Sequence, residues 1–148
     1  TSVLPNLLVN GISETIKKSN AIKIYICNVM TQPGETDNYT ASMHIKALLD
    51  HVGEGIIDYV IVNSKEISTS AQDMYADQGA FVVKVDEDEI SKLGVKIIKA
   101  NIINETNLVR HDPVKLSRAI MKMVYDLKSN SERMKLLDYY LINDNVKE

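Results

Sequence analysis

A run of nine polar or turn-forming residues, TQPGETDNY at 31–39, contains side chains well suited to binding a ligand. It follows a β-branched run that ends near Asn28. Ligands of open parallel sheets bind outside the carboxyl ends of the strands, which is where this run is expected to lie. Carboxylates, amides and hydroxyls there can bind sugar hydroxyls or hold a hydrated Mg²⁺. The candidate ligand-binding residues are Asn28, Thr31, Gln32, Glu35 and Asp37, and the candidate Mg²⁺ ligands among them are Glu35 and Asp37.

The same run is also typical of a solvated turn that only joins two elements. Pro33 and Gly34 favour a turn, and Asp37 or Thr40 can cap the helix that follows. Asn63 raises the same choice, because an amide at the end of a strand can bind a ligand or close a turn. Both interpretations stay open for these residues.

Arg110 is the candidate for binding phosphate. Asp112 and Pro113 have the residue types of a helix N-cap and first helical position, so Arg110 is expected just before a helix N-terminus. Free N–H groups favour anions there, and a guanidinium binds phosphate oxygens through paired hydrogen bonds. The alternative is an ion pair between Arg110 and a local carboxylate. His111 is a further candidate for binding the ligand or acting as a general base, but it has no identified partner.

Three other residues are interpreted as structural. His44 and His51 lie seven positions apart beside the apolar stripe of a predicted helix, so we expect both to flank that stripe. A metal-binding pair on a helix uses a closer spacing, as in the two histidines four apart of HExxH. Cys27 lies inside a predicted strand and is expected to be a buried small hydrophobe.

Alternating strands and helices must position these residues. Continuous β-branched runs predict strands buried on both faces, and apolar residues at helical spacing predict the helices between them. This order implies a mainly parallel sheet with helices on both faces, in one α/β domain over residues 1–148. The predicted strands are 21–30, 59–63, 80–85 and 95–103. The predicted helices begin at Ser2, span 41–53 and 67–78, begin at Pro113 and span about 132–141, with an acidic connector or helical turn at 85–93.

Composition excludes several classes of protein. The 148 residues carry 17 basic and 20 acidic side chains, a net charge of −3, which argues against nucleic acid and anionic lipid as partners. The single Cys27 excludes a disulfide framework within the chain and favours a reducing compartment, most simply the cytoplasm. No apolar run approaches the length of a membrane span, roughly 18 residues or more.

Several stretches resemble the bacterial gluconeogenesis-factor family, the YvcK-like branch of the CofD-like proteins. They are TSVLPNLLVNGI at 1–12, NVMTQPGETDNYTAS at 28–42, DYVIVN at 58–63, Tyr75 with QGA at 78–80 and Asp86, and LVRHDPVKL at 108–116. The glycine-rich phosphate loop of the family is not in this sequence, which opens on a predicted helix. We therefore expect the chain to be the C-terminal portion of a larger α/β fold.

The resemblance implies a Rossmann-like fold, a cytoplasmic protein and binding of UDP-N-acetylglucosamine. It also implies a role in cell shape and peptidoglycan supply during gluconeogenic growth, with a protein partner in cell-wall synthesis. The other branch contains 2-phospho-L-lactate transferases, which use a nucleotide-linked donor, Mg²⁺ and a deazaflavin acceptor. Carried over, Arg110 matches a ligand-contact arginine, the residues from Asn28 match a cleft loop, and Thr1, Ser2 and Asn6 match the edge of a phosphate-binding segment.

Three functions follow from these observations. The first is a regulator that binds a nucleotide sugar without catalysis. The second is a Mg²⁺-dependent transferase of the 2-phospho-L-lactate type. The third is a scaffold or homo-oligomer built on the C-terminal helices, whose candidate contact residues are Met121, Met123, Tyr125, Tyr139 and Tyr140.

Overall fold

The computed structural model describes residues 2–106 and 108–144, with side chains as far as residue 130. The helices of this part are α1 (Val3–Leu7), α2 (Ile12–Lys18), α3 (Ala41–Val52), α4 (Thr69–Ala76), α5 (Glu87–Lys92) and α6 (Pro113–Asp144). The strands are β1 (Ile24–Ile26), β2 (Tyr59–Asn63), β3 (Lys96–Ala100), β4 (Ile103–Asn104) and β5 (Arg110–His111).

A three-stranded parallel sheet in the order β1-β2-β3 forms the centre of the fold. Its register places Tyr25 opposite Val60, and Val60 opposite Ile97. The middle strand is buried on both faces, because the side chains of Val60, Ile61 and Val62 are all almost completely excluded from solvent. This burial explains the continuous β-branched run of β2 and confirms the predicted parallel α/β architecture.

Helices cover both faces of this sheet, as predicted. On one face, Ile45 of α3 and Ile90 of α5 pack with Val60 of β2. On the opposite face, Ile61 of β2 packs with Ile103 at the start of β4. Helices α4 and α6 complete that second layer through Ala71, Tyr75, Leu116, Ala119 and Ile120.

The predicted strand at 80–85 does not join the sheet. It runs antiparallel to the segment after β1 and meets it in a single bridge between Met30 and Val82. The N–H of Val83 donates to the carbonyl of Val29 at 2.9 Å. The predicted strand at 21–30 is correspondingly short, since only Ile24–Ile26 pair with β2 before the chain turns towards residues 80–85. The prediction that 80–85 is a strand of the main sheet is therefore wrong, because its backbone partners lie beyond the end of β1.

The predicted strand at 95–103 divides into two. Its first part is β3, and its last residue begins β4, which pairs antiparallel with β5. This small second sheet places Ile103 opposite His111 and Asn104 opposite Arg110. Arg110 therefore lies on a short strand rather than in an irregular loop.

The helical predictions change at both ends of the chain. Gly11 has a φ of 84° and interrupts the first helix, so α1 and α2 are separate, and Ser2 makes no side-chain capping bond. Helix α6 continues through residue 131, where two helices were predicted, because its sequence has no glycine and no proline after Pro113. None of the described helices is long and apolar enough to cross a membrane.

Candidate functional site

Two cavities meet at Asn28, just beyond the carboxyl end of β1. Cavity A, of about 550 Å³, lies between the ends of β1 and β2 and the segment 82–85. Cavity B, of about 360 Å³, lies between α1, α3 and the loop after β1. Asn28 lines both cavities, so the predicted amide occupies the place where parallel sheets bind ligands.

Asn63 lines cavity A, but its side chain is used to close a turn. Its Nδ2 donates to the carbonyl of Lys65 at 2.7 Å, and its Oδ1 accepts from the N–H of Lys65 at 3.2 Å. Lys65 in turn forms an ion pair with Glu105 at 2.5 Å. These contacts match the turn interpretation of Asn63, which remains a predicted ligand residue without direct support.

Thr31 anchors the loop after β1 to the segment at 80–85. Its N–H donates to the carbonyl of Phe81 at 2.7 Å, and its Oγ1 accepts from the N–H of Phe81 at 2.8 Å. Thr31 is 4% exposed, so its hydroxyl is enclosed by protein and already hydrogen-bonded. This predicted ligand residue therefore holds the loop in position.

The next residues of the loop form hydrogen bonds with one another. The hydroxyl of Thr36 accepts from the N–H of Gln32 at 2.8 Å, and a carboxylate oxygen of Asp37 accepts from the N–H of Gly34 at 2.8 Å. Thr40 caps α3 by accepting from the N–H of Met43 at 3.4 Å. The turn interpretation therefore accounts for much of this run.

Glu35 and Asp37 are the predicted Mg²⁺ ligands. Glu35 is exposed and lines cavity B, and its carboxylate makes no hydrogen bond or ion pair with the described residues. No group of three or more His, Cys, Asp or Glu side chains with metal-binding geometry occurs among the residues that the structure describes. Mg²⁺ can bind through one or two carboxylates together with substrate phosphates, so a Glu35–Asp37 pair has a suitable donor set.

Asn28, Gln32 and Ser2 line cavity B together with Glu35. The Nδ2 of Asn28 donates to Oε1 of Gln32 at 3.5 Å, a long contact that keeps the two amides on the same wall. Asn6 donates from its Nδ2 to the carbonyl of Ser2 at 2.8 Å. The structure thus brings four of the predicted residues to one cavity. Thr1, which was also predicted, lies outside the described residues.

His44 corrects the expectation that both histidines flank the apolar stripe of α3. It is 5% exposed, lines cavity B, and its Nε2 is buried without a hydrogen-bond partner in the described part of the chain. Burial lowers the pKa of its imidazole. Its ring packs edge-on against Tyr39, with 5.4 Å between the ring centroids. The helical spacing indicates this burial, because His44 lies three residues after the buried Ala41 and residues three apart share a helix face.

His111 connects the second small sheet to β1. Its Nε2 lies 3.2 Å from the carbonyl oxygen of Cys27, and because a carbonyl only accepts, this nitrogen is the donor. The bond joins residues 84 positions apart and ties β5, which also contains Arg110, to the chain just after β1. His111 is therefore a positioning residue in this structure, with one ring nitrogen committed to the backbone.

Arg110 is exposed, and its guanidinium forms no hydrogen bond or ion pair with the residues whose side chains are described. Arg110 therefore does not form the predicted alternative, an ion pair with a local carboxylate, in that part of the chain. The free helix amides expected beside Arg110 are partly used, because Asp112 caps α6 by accepting from the N–H groups of Val114 and Lys115 at 3.0 and 3.1 Å. The guanidinium is therefore the main group at this position with donors available for an anion.

Tyr75 is a residue of the site that the residue types alone did not identify. Its hydroxyl accepts from the N–H of Val109 at 3.1 Å and donates to the carbonyl of Val109 at 3.3 Å. Both bonds hold the residue that precedes Arg110. Tyr75 and the Gln78-Gly79-Ala80 stretch beside it carried the family resemblance, but the contact of Tyr75 with Val109 spans 34 positions and needs the fold.

Cys27 is 2% exposed, which confirms that it is a buried small residue. Burial raises the pKa of its thiol to about 12, so the thiol stays protonated at neutral pH. A protonated and enclosed thiol is a poor nucleophile and a poor metal ligand. Cys27 therefore contributes its backbone carbonyl, through His111, rather than sulfur chemistry.

The fold and the position of the cavities define an α/β protein with a candidate ligand site beyond the carboxyl ends of a parallel sheet. The family model described as 2-phospho-L-lactate transferase CofD matches residues 1–103, which is well over half of the chain. The chain belongs to this CofD family.

Relatives named gluconeogenesis factor match most of the chain. The one from Halalkalibacterium halodurans is 50% identical over 123 residues, covering 82% of this chain and 38% of the relative. The one from Bacillus subtilis is 43% identical over 125 residues, covering 84% of this chain and 39% of the relative. The chain thus spans under two fifths of the length of these relatives.

A crystal structure of a UPF0052 family member from Bacillus halodurans superposes with a TM-score of 0.79 at 50% sequence identity. The match covers 80% of this chain and 38% of that one. The similarity supports both the α/β fold and the relationship to the gluconeogenesis factors.

Proposed function

We propose that this chain forms part of a gluconeogenesis factor that binds a nucleotide sugar, UDP-N-acetylglucosamine. The bond between His111 Nε2 and the Cys27 carbonyl carries the proposal, because it ties β5, the strand of Arg110, to the residue before Asn28. Arg110 does not itself line either cavity, but its guanidinium has no protein partner among the described residues, and Asn28 lines both cavities. This arrangement fits a ligand that has both a diphosphate and hydroxylated rings.

Each part of the ligand has a group suited to it. Arg110 binds the diphosphate through charge-assisted hydrogen bonds. The amides of Asn28 and Gln32 and the carboxylate of Glu35 bind hydroxyl groups in cavity B. His111 and Tyr75 keep Arg110 in place through the backbone of Cys27 and Val109.

The proposed protein acts as a regulator rather than as an enzyme. It responds to the supply of cell-wall precursors during growth on gluconeogenic carbon sources, passes the signal to a protein partner and acts in the cytoplasm. The names of the relatives support the link to gluconeogenic growth. The chemistry of Cys27 and His111 supports a binding role, because the thiol is protonated and one nitrogen of the imidazole is bonded to the backbone.

A Mg²⁺-dependent transferase of the 2-phospho-L-lactate type is the second candidate, and the description of the matching family model favours it. Glu35 and Asp37 would hold the metal ion, which supplies charge stabilisation for the phosphate groups. Arg110 would bind the same phosphates in either case. The two functions therefore differ in metal dependence and turnover, whereas the role of Arg110 is the same in both.

The proposal is tested by calorimetric titration of the intact protein with UDP-N-acetylglucosamine, with and without Mg²⁺. The ligand is recovered afterwards and its mass is measured. Binding without Mg²⁺ and recovery of unchanged ligand support the regulator. Absence of binding, or ligand consumed only with Mg²⁺, contradicts it and favours the transferase.

Arg110→Ala sharpens this test. We expect it to weaken binding by about 1.5–3 kcal/mol, the contribution of hydrogen bonds to a charged group, while the free energy of unfolding changes little. Arg118→Ala, which removes an exposed arginine of α6, is the matched control and leaves affinity unchanged. Equal affinity of the two variants rules out Arg110 as the diphosphate-binding residue.

A further inference from the structure

Cavity B differs from an ordinary phosphate site in its charges. Its lining includes no lysine or arginine among the described residues, and Glu35 is its one carboxylate. Much of the remaining polar surface comes from amides, tyrosines and imidazoles, including those of Asn28, Tyr39 and His44. Such a wall suits an uncharged group with several hydroxyls or amides, and it disfavours a diphosphate.

His44 provides an independent observation that a ligand belongs there. The imidazole is almost completely buried, and its Nε2 has no hydrogen-bond partner among the described residues. Buried polar atoms in folded proteins are almost always hydrogen-bonded, and an exception marks a site whose partner is a bound molecule or another polar group. Because burial lowers the pKa of His44, the ring is neutral at pH 7 and can accept or donate one hydrogen bond at Nε2.

We propose that cavity B binds the sugar ring of the nucleotide sugar, with a sugar hydroxyl or acetamido group hydrogen-bonded to Nε2 of His44. This inference rests on the proposed function and names the part of the ligand that each region binds. The diphosphate lies at Arg110, and the sugar passes Asn28 into cavity B. The carboxylate of Glu35 accepts a second hydroxyl, and the ring of Tyr39 keeps the imidazole oriented.

The test compares two ligands that differ only beyond the diphosphate, UDP and UDP-N-acetylglucosamine, on the intact protein. His44→Phe keeps a flat ring of similar size but removes Nε2. We expect the Kd for UDP-N-acetylglucosamine to rise about tenfold, as for one lost hydrogen bond, and the Kd for UDP to stay the same. His44→Gln places an amide near the position of Nε2 and is expected to recover most of the affinity. Lys46→Ala, on the exposed side of α3, is the control and leaves both values unchanged.

Each other outcome overturns the assignment in a different way. If His44→Phe weakens both ligands equally, cavity B does not select the sugar. If it changes neither Kd, His44 does not contact the ligand, although nucleotide-sugar binding still stands. If the wild-type protein binds neither ligand, the proposed function fails, and this inference fails with it.

A second measurement decides the matter if His44→Phe does not fold. Long-range ¹H–¹⁵N spectra of the wild-type protein resolve the ring nitrogens of its histidines. We expect the Nε2 signal of His44 to shift on addition of UDP-N-acetylglucosamine and to stay in place on addition of UDP. A signal that is unchanged by the sugar nucleotide overturns the contact with His44.

Discussion

The predicted site residues lie mainly on the loop after β1 and directly after the loop between β4 and β5, and these two loops are stabilised in different ways. The loop after β1, residues 27–40, is held largely by bonds among its own residues, such as those from Gln32 to Thr36 and from Gly34 to Asp37. Thr31 adds one anchor to Phe81. Most of the polar groups in this loop are consequently used to maintain its shape.

The loop between β4 and β5, residues 105–109, is held mainly by residues outside it. Glu105 contacts Lys65 and the N–H of Ser68, and Val109 is held by the hydroxyl of Tyr75. The guanidinium of Arg110, directly after the loop, keeps its hydrogen-bonding groups free of the described residues. A loop that distant residues support can therefore leave the neighbouring guanidinium of Arg110 available for a ligand. A loop held by its own polar side chains leaves fewer of them available.

Removing the external support is expected to have the largest effect. Tyr75→Phe leaves the N–H and carbonyl of Val109, a residue 8% exposed, without their partner. We expect the free energy of unfolding to fall by about 2 kcal/mol, because buried polar groups lose hydrogen bonds, and the affinity for the nucleotide sugar to fall as well. Urea unfolding and calorimetric titration measure the two effects.

Tyr59→Phe is the matched control, since the hydroxyl of Tyr59 makes no hydrogen bond with the described residues. It should leave stability and affinity near the wild-type values. If Tyr75→Phe behaves like this control, the external support of the second loop is unimportant.

Loss of the single anchor of the first loop should have a smaller effect. Thr31→Val keeps the shape of the side chain but removes the oxygen that accepts from the N–H of Phe81. We expect a loss of about 1 kcal/mol in the free energy of unfolding, corresponding to one hydrogen bond. Thermal and urea unfolding detect this change. Thr106→Val, at an exposed position in the second loop, serves as the control, and an equal effect of both substitutions contradicts the anchoring role.

The smallest expected effect concerns the ion pair of Glu105. Hydrogen bonds from Lys65 and Ser68 lower the pKa of the Glu105 carboxyl to about 2 from its ordinary value near 4.5. A carboxyl with a lowered pKa stabilises the fold fully above its unfolded pKa, and this contribution is lost as the pH falls through the folded pKa. Glu105→Gln should therefore be less stable than wild type at pH 7, with the difference shrinking between about pH 4.5 and pH 2.

Urea unfolding at pH 7 and at several values below pH 4.5 measures this difference. Glu54→Gln, whose carboxylate makes no ion pair with the described residues, is the control and should show no such pH dependence. A difference that is constant with pH means that the carboxyl of Glu105 does not stabilise the second loop through its charge.

The sequence predicted the position of the site better than the role of each residue in it. The bounds of β2, the cap at Asp112 and the buried Cys27 were all predicted from local patterns and are confirmed. Local patterns did not reveal that Thr31 and His44 are buried. A threonine in a polar loop gives no indication that its hydroxyl is buried against Phe81, and His44 was assigned to the flank of its helix although it is buried.

The segment at 80–85 shows the same limit at the level of the fold. AFVVKV has the composition of a buried strand, and Ala80 and Val83 are indeed buried. Composition cannot say which neighbour a strand-like segment pairs with. The antiparallel contact with Met30 arises because the chain beyond β1 offers free backbone groups at that place.

By itself, the sequence determined the α/β class, the buried middle strand and the concentration of polar residues after β1, because hydrophobic periodicity and turn-forming residues act over short distances. Tertiary structure decided which polar groups have partners far away in the sequence. The bonds from Thr31 to Phe81, from Tyr75 to Val109 and from His111 to Cys27 span 50, 34 and 84 positions. Such bonds depend on the packing of whole elements, so the unpartnered Nε2 of His44 becomes evident only in the folded chain.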